Sequence, residues 1–228
     1  MCTQALAGEL ATIVSLGDRD WIEIQLIADE YRGWTDKKQW SRSPRMEQSF
    51  LIQAPVSSWL RQDGARLQFV AGSRLSQGAS GEWHVGEWAV EPLDALDSVF
   101  GARATALDVA REWIGAPYAW GGKSVFGVDC SGLVQVAFAL TGLQVPRDAS
   151  MQVSFGEEVA FESRQEGDLA FFVNAAGKVI HVGMLNGPDQ ILHAAGEVRI
   201  DAFDHEGIKR NGQLTHTFSQ LRRWDLTK

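Results

Sequence analysis

The stretch VFGVDCSGLVQVAF, residues 125–138, decides how the second half of this chain is interpreted. A loop-like segment leads to Asp129, and an apolar helical pattern follows it. Asp129 is a natural N-cap, so the sequence predicts that Cys130 lies in the first turn of a helix. The positive end of the helix dipole lowers the pKa of a thiol placed there, although the charge of Asp129 opposes that effect. Cys130 is therefore either a structural residue of an apolar helix or a nucleophile that needs a base.

Two histidines downstream of this helix are candidates for that base. His181 lies in the strand-like run KVIHVGML (178–185), and His193 lies in the next run, QILHAAG (190–196). Because each histidine interrupts an apolar run on a neighbouring strand, the pair fits a base and a group that orients the base. A metal site built from Cys130 and the two histidines is an alternative, but their spacing matches no common metal-binding motif. We therefore predict a nucleophile, a base and an orienting residue, with no metal or other cofactor.

The other three histidines lie in polar, turn-like surroundings and are assigned no role. They are His84, His205 and His216.

The composition is that of a folded, acidic protein. The chain has 228 residues, of which 45% are hydrophobic and 22% charged, and this excludes a disordered or collagen-like chain. Lys and Arg number 21 against 29 Asp and Glu, a net charge of −8, which disfavours binding to nucleic acid or to an anionic membrane. Two cysteines, Cys2 and Cys130, are too few for a disulfide framework and indicate a reducing compartment.

The N-terminal segment gives an expectation about location. Glu9 interrupts the first apolar run and the first basic residue is Arg19, which does not fit a secretory signal. The chain also lacks a run of about 18 apolar residues, the length that a transmembrane helix needs. We expect a cytoplasmic protein, with a periplasmic or secreted location as the alternative if a leader is missing.

The chain changes character near residue 95. Six of the nine tryptophans precede that position, within short strand-like runs separated by glycine-containing turns. Such a pattern favours small β-barrels, and the seam SRSPRM (41–46) divides them into residues 1–45 and 46–95. From 96 to 228, helical segments precede several strand-like runs, so the chain is predicted to be α+β.

The motifs of the second half resemble, in order, those of the NlpC-type cell-wall cysteine peptidases. The matching segments are YAWGG (118–122), DCSGLVQVAF (129–138), PRDASMQ (146–152), GDLAFF (167–172), HVGML (181–185) and ILHAAG (191–196). The resemblance implies a papain-like catalytic domain with Cys130 as nucleophile, His181 as base and His193 as the third polar residue. It also implies that Tyr118 lies near the thiol and that the backbone N–H of Cys130 is an oxyanion donor.

The N-terminal half resembles the bacterial SH3-like modules, one or two in number, that precede this domain in a murein-peptide recycling subgroup. The likeness implies a γ-D-glutamyl-L-diamino acid endopeptidase that acts on murein tripeptides or related stem peptides and releases L-Ala-D-Glu. It further implies that the free N-terminal amine of L-Ala is bound by Asp129 and by Tyr31, which lies in DEYRGW (29–34).

Three further residues are candidates for substrate binding. Ser131 can hydrogen-bond the substrate backbone or simply begin the helix, and Arg147 and Asp148 can line the cleft or pair with each other. Two alternatives to the peptidase are a Cys–His amidase or acyltransferase on the same scaffold, and a non-catalytic wall-binding protein.

Overall fold

The computed structural model describes residues 2–42 and 48–224, which divide into two compact units. One unit runs from Cys2 to Ala102, and the other begins at Arg103. The first unit therefore includes helix α1 (Leu96–Phe100), which lies beyond the predicted boundary at residue 95. The predicted seam between residues 45 and 46 lies outside the described residues, and the division into 1–45, 46–95 and 96–228 stays a prediction.

Among its described residues, the N-terminal unit contains two antiparallel sheets, in keeping with the predicted SH3-like modules. One sheet has the order β1-β2-β3, with strands β1 (Ala11–Leu16), β2 (Trp21–Leu26) and β3 (Arg32–Asp36). The other is a small six-stranded barrel of order β4-β7-β8-β9-β5-β6, with strands β4 (Ser49–Leu51), β5 (Val56–Arg61), β6 (Arg66–Val70), β7 (Arg74–Gln77), β8 (Trp83–Val85) and β9 (Trp88–Pro92).

The cores of these two sheets follow from the sequence pattern. Alternation along β2 buries Ile22, Ile24 and Leu26 on one face, as strand geometry requires. In the barrel, Trp83 is buried and Phe100 of α1 stacks on it, with ring centroids 4.9 Å apart. The aromatic residues of this region are thus partly core, and α1 completes the packing of the barrel.

The C-terminal unit places helices before a curved antiparallel sheet, which confirms the predicted α+β order. Its helices and its small hairpin are α2 (Ala106–Glu112), β10 (Lys123–Ser124), β11 (Gly127–Val128), α3 (Cys130–Leu140) and α4 (Ala149–Gln152). Its main sheet has the order β12-β18-β13-β14-β15-β16-β17, with strands β12 (Glu157–Val159), β13 (Leu169–Val173), β14 (Val179–Leu185), β15 (Gln190–Ala195), β16 (Glu197–Phe203), β17 (Gly207–Arg210) and β18 (Gln213–Arg223). Because β18 also pairs with β17, strands β13 to β18 close on themselves.

Helix α3 is the element that positions the predicted nucleophile. Its residues from Cys130 to Phe138 are all buried, and the helix contacts β14 and β15 of the sheet. Such all-round burial explains why its sequence is predominantly apolar. In the described part of the chain, no helix has the length and apolar character needed to cross a membrane.

Candidate active site

Cys130 is the first residue of α3 and is almost fully buried. The predicted cap is present, because the Gly132 N–H donates to Asp129 Oδ1 at 2.7 Å. The sulfur of Cys130 accepts hydrogen bonds from the backbone N–H groups of Ser131 and Val182. Since Val182 follows His181 in β14, these contacts place the thiol against the strand that carries the predicted base.

The two predicted histidines are in contact. His181 Nε2 lies 2.9 Å from His193 Nδ1, and both rings are buried. A Cβ atom on Gly183 would lie 2.9 Å from the His193 Cβ, so the glycine of the HVGML segment makes room for the second histidine. Within the described residues, no group of three or more His, Cys, Asp or Glu side chains is arranged to hold a metal ion.

Asp201 extends this pair of histidines into a chain of hydrogen bonds. His193 Nε2 lies 3.0 Å from Asp201 Oδ2, and the same oxygen accepts a hydrogen bond from Arg199 Nε at 2.8 Å. Burial acts to raise the pKa of Asp201, but the hydrogen bonds from Arg199 and His193 outweigh it, so the pKa is lowered and the carboxylate is ionised. Asp201 was not predicted from the sequence. The pattern that could have identified it is the alternation of side chains along β16, where Arg199 pairs with His193 and Asp201 follows on the same face of the strand.

His216 is a second residue near the base for which the sequence predicted no role. It lies in β18, and its ring stacks on that of His181 with the centroids 4.2 Å apart and an interplanar angle of 29°. The prediction of no role rested on its polar neighbours in the sequence, which resemble a turn. The sequence signal for a strand here is the alternation of Leu214, His216 and Phe218 with small polar residues.

Burial controls the protonation of the candidate catalytic groups. Desolvation, aided by the negative charge of Asp129, raises the pKa of the Cys130 thiol to about 11. Desolvation also lowers the pKa of His181 well below its ordinary value and lowers that of His193 to about 4, although Asp201 opposes the latter shift. The helix dipole was expected to lower the thiol pKa, but burial outweighs it. Near neutral pH the free site therefore pairs a neutral thiol with a neutral imidazole.

Three predicted substrate-binding residues come together beside the nucleophile. Arg147 donates to both carboxylate oxygens of Asp129, at 3.0 and 2.7 Å, and to Ser131 Oγ at 2.9 Å. The Gly121 N–H also donates to Asp129 Oδ2 at 2.7 Å. Arg147 and Asp129 are both buried. This bidentate pair ties the loop after α3 to the start of that helix and neutralises much of the charge of Asp129.

The remaining predicted residues lie in different surroundings. Tyr118 has its pKa raised to about 12, by burial and then by the negative charges of Cys130 and Asp129, so its phenol lies near the thiol. Asp148 immediately precedes α4, where its carbonyl accepts the Gln152 N–H at 2.9 Å.

Tyr31 belongs to the N-terminal unit. It follows β2, where its carbonyl accepts the Leu26 N–H at 2.9 Å. Its ring packs against the small core of Ile22, Ile24 and Leu26. Its role toward substrate stays a prediction.

Comparison with known proteins places these features in a family. The model of the NlpC/P60 family matches residues 115–216. The chain is 30% identical over 213 residues to the gamma-D-glutamyl-L-lysine dipeptidyl-peptidase of Bacillus subtilis (strain 168), an alignment that covers 84% of this chain and 71% of that protein. It is 35% identical over 123 residues to dipeptidyl-peptidase 6 of Lysinibacillus sphaericus, covering 52% of this chain and 43% of that protein.

A solved structure has a similar fold. An NlpC/P60 family protein from Bacillus cereus ATCC 10987 superposes with a TM-score of 0.81 at 24% sequence identity. The superposition covers 97% of this chain and 81% of that protein.

Proposed function

The chain belongs to the NlpC/P60 family and is a cysteine peptidase of the peptidoglycan-hydrolase type, and we propose that it cleaves the γ-D-glutamyl–diamino acid bond of murein stem peptides. The observation that carries the proposal is the hydrogen-bonded series of His181, His193 and Asp201, whose first member adjoins Val182, the residue that donates its backbone N–H to the Cys130 sulfur. A nucleophile, a base and groups that orient the base are the parts that acyl transfer from an amide requires.

The proposed reaction has two steps. Cys130 Sγ attacks the γ-carbonyl carbon of D-Glu while His181 Nδ1 takes the thiol proton. Collapse of the tetrahedral intermediate breaks the C–N bond, and His181 returns the proton to the leaving amine of the diamino acid. Water, deprotonated by His181, then attacks the thioester carbonyl. This second step releases the peptide acid and restores the thiol.

In this reaction, His193 and Asp201 stabilise the positive charge that forms on His181. When His181 takes a proton, a positive charge forms in a buried site where desolvation opposes it. The carboxylate of Asp201 stabilises that charge through His193, with which it is in hydrogen-bond contact at 3.0 Å. The proton can therefore transfer during attack, although both partners are neutral beforehand. The backbone N–H of Cys130 is proposed to stabilise the developing oxyanion.

The proposed substrate has a free N-terminal L-Ala, and its cleavage releases L-Ala-D-Glu. The name of the Bacillus subtilis relative supports this choice, since a dipeptidyl-peptidase releases two residues from a free amino terminus. We propose that Asp129 takes part in recognising the ammonium group. The carboxylate of Asp129 already pairs with Arg147, so the ammonium would add a partner to an oxygen that keeps its position without substrate.

We also propose that the enzyme acts on recycled peptides inside the cell. Both cysteines are free thiols, which suits a reducing compartment, and the net charge of −8 would weaken contact with anionic wall polymers. Fractionation of source cells at native expression tests this. Recovery with the cytoplasmic fraction supports the proposal, and recovery mainly from the periplasm or medium contradicts it.

One assay tests the activity itself. The tripeptides L-Ala-γ-D-Glu-L-Lys and L-Ala-γ-D-Glu-meso-diaminopimelate are incubated with the protein, and the products are identified by mass spectrometry. The proposal predicts L-Ala-D-Glu and the free diamino acid from at least one peptide. Cleavage elsewhere in both peptides, or no cleavage of either, would contradict it. The exposed thiol provides a control, because Cys2→Ala should leave the rate unchanged.

A further inference from the structure

His216 covers one face of the proposed base and contacts its partner as well. Its ring lies 4.2 Å from that of His181 in a stacked arrangement and 5.7 Å from that of His193 at an interplanar angle of 84°. Its Nδ1 atom lies 3.0 Å from Thr215 Oγ1. The imidazole of His181 is thus bounded by one ring on its face and by another at its Nε2 atom.

The backbone around His216 is built for a close approach of two strands. Gly207 in β17 has a φ of +143°, and a Cβ atom there would lie 1.8 Å from the carbonyl oxygen of His216. Only glycine allows β17 to approach β18 at that point. Phe172 in β13 lies between the two strands that carry these histidines, since it pairs with His181 on β14 and with Phe218 on β18. The position of His216 is therefore set by the closure of the sheet.

We propose that His216 is a positioning residue for His181 whose neutral ring holds the base in place and whose protonation switches the base off in acid. The inference rests on the proposed function, because it takes His181 as the base for Cys130. In the neutral state, the stacked ring keeps the imidazole plane of His181 fixed, so that Nε2 stays against His193. In the protonated state, a positive charge lies about 4 Å from the imidazole that must itself become positive, which disfavours proton transfer.

The groups that face His216 are consistent with a neutral ring at neutral pH. They are His181 on β14, His193 on β15, Arg199 and Asp201 on β16, Phe172 on β13, and Thr215 and the paired Ile208 on β18 and β17. Burial and then the positive charge of Arg199 lower the pKa of His216, and the carboxylate of Asp201 opposes them. The ring therefore gains its proton only as the pH falls below the ordinary histidine range of about 6.5.

Variants at position 216 distinguish the effect of the aromatic ring from the effect of its protonation. His216→Phe keeps an aromatic face without a titrating group, and His216→Gln removes the titration with a polar side chain. His216→Ala removes the ring. His205→Phe is the matched control, because His205 is an exposed histidine outside this cluster. The kcat and KM for the tripeptide, and the rate of Cys130 alkylation by iodoacetamide without substrate, are measured between about pH 4.5 and pH 9, a range that spans histidine titration. Thermal unfolding identifies the variants that fold.

The expected result has two parts. For each protein, kcat/KM at about pH 5 is divided by kcat/KM at about pH 8. This ratio should be roughly ten-fold higher for His216→Phe or His216→Gln than for the wild type, because the inhibitory protonation at position 216 is absent. At about pH 8, His216→Ala should lose kcat roughly ten-fold with little change in KM, whereas His216→Phe should stay within about three-fold of wild type. His205→Phe should follow the wild type throughout.

Two outcomes overturn the inference. One is a folded His216→Phe or His216→Gln variant whose kcat/KM falls in acid along the same pH curve as that of the wild type. The other is a folded Ala variant with wild-type kcat. Failure of the proposed function looks different, since it shows as no tripeptide cleavage by the wild type or as full cleavage by Cys130→Ala. In that case the alkylation profile still reports whether His216 acts on the thiol through His181.

Discussion

The 2.9 Å contact between His181 Nε2 and His193 Nδ1 determines which nitrogen of the base can accept a proton. The ionised carboxylate of Asp201 can only accept a hydrogen bond, so neutral His193 carries its proton on Nε2. The Nδ1 atom of His193 is then an acceptor, and His181 must donate to it from Nε2. The remaining nitrogen of His181, Nδ1, is therefore unprotonated and can take the thiol proton from Cys130.

Replacing His193 tests its role in orienting the base. His193→Ala should lower kcat/KM at least about 100-fold, because the ring of His181 loses the acceptor that fixes its tautomer. His193→Gln should retain more activity, since the amide oxygen can still accept from His181 Nε2. Steady-state kinetics with the tripeptide distinguish the two. An Ala variant as active as the wild type would return His193 to the status of a structural strand residue.

Asp201→Asn should impair catalysis more than substrate binding. The amide NH2 of asparagine can donate to His193 Nε2, which moves the His193 proton to Nδ1 and opposes the donor on His181. We expect kcat to fall about 100-fold or more with KM nearly unchanged, because in other catalytic triads the wrong histidine tautomer lowers kcat in this way. The matched control is Asp189→Asn, whose carboxylate is exposed and pairs with Arg164. Equal kcat in the two variants would exclude Asp201 from the catalytic arrangement.

The buried His193 should make stability depend on pH. Its pKa is about 4 in the folded protein, mainly through burial, against about 6.5 in the unfolded chain. The unfolded chain thus binds more protons between these values, so the free energy of unfolding falls as the pH drops from about 6.5 toward 4. The loss from this residue is about 3 kcal/mol.

Denaturant unfolding at a series of pH values measures this effect. His193→Gln should flatten the dependence, while His205→Gln should leave it as in the wild type. A His193→Gln variant with the full wild-type slope would show that this residue is not the source.

The pair of Arg147 and Asp129 should be sensitive to the loss of one partner. Arg147→Ala leaves a buried carboxylate without its bidentate donor and should cost about 3–5 kcal/mol of unfolding free energy. Arg147→Lys should cost less, because it keeps the charge but loses the planar fork. The control is Glu158→Ala, which removes an exposed partner of Arg222 and should cost less than about 1 kcal/mol. Similar losses in Arg147→Ala and Glu158→Ala would contradict the assigned role.

Blocking the peptide amine tests substrate selectivity. N-acetylation of L-Ala removes the ammonium charge, and we expect kcat/KM to fall at least about 30-fold, the lower range for losing one partner of a desolvated charge pair. Equal cleavage of free and acetylated peptides would refute amine recognition without affecting the Cys–His chemistry.

Tyr31→Phe should weaken peptide recognition while leaving alkylation of the Cys130 thiol unchanged.

The residues that the sequence identified were those marked by local patterns. Asp129 precedes an apolar helix, and this alone predicts both the cap and the place of Cys130. His181 and His193 stand out because each lies within an apolar strand. These signals need only the neighbouring residues in the chain.

The residues that the sequence did not identify depend on long-range pairing. Asp201 reaches His193 only through the register of β15 with β16, and His216 reaches His181 only because β18 closes the sheet. The pairing of Arg147 with Asp129 rests on the fold of the loop after α3. The direction of the thiol pKa depends on how deeply α3 is buried, which a helix N-terminus alone does not show.

In the proposed reaction, Cys130 forms a covalent acyl intermediate. Protein mixed with L-Ala-γ-D-Glu-diamino acid is quenched in acid within one turnover and digested, and the peptide containing Cys130 is examined by mass spectrometry. We expect the mass of an L-Ala-D-Glu acyl group on Cys130, no such adduct on Cys2, and no hydrolysis by Cys130→Ala. Hydrolysis by Cys130→Ala at the wild-type rate would contradict the role of Cys130 as nucleophile.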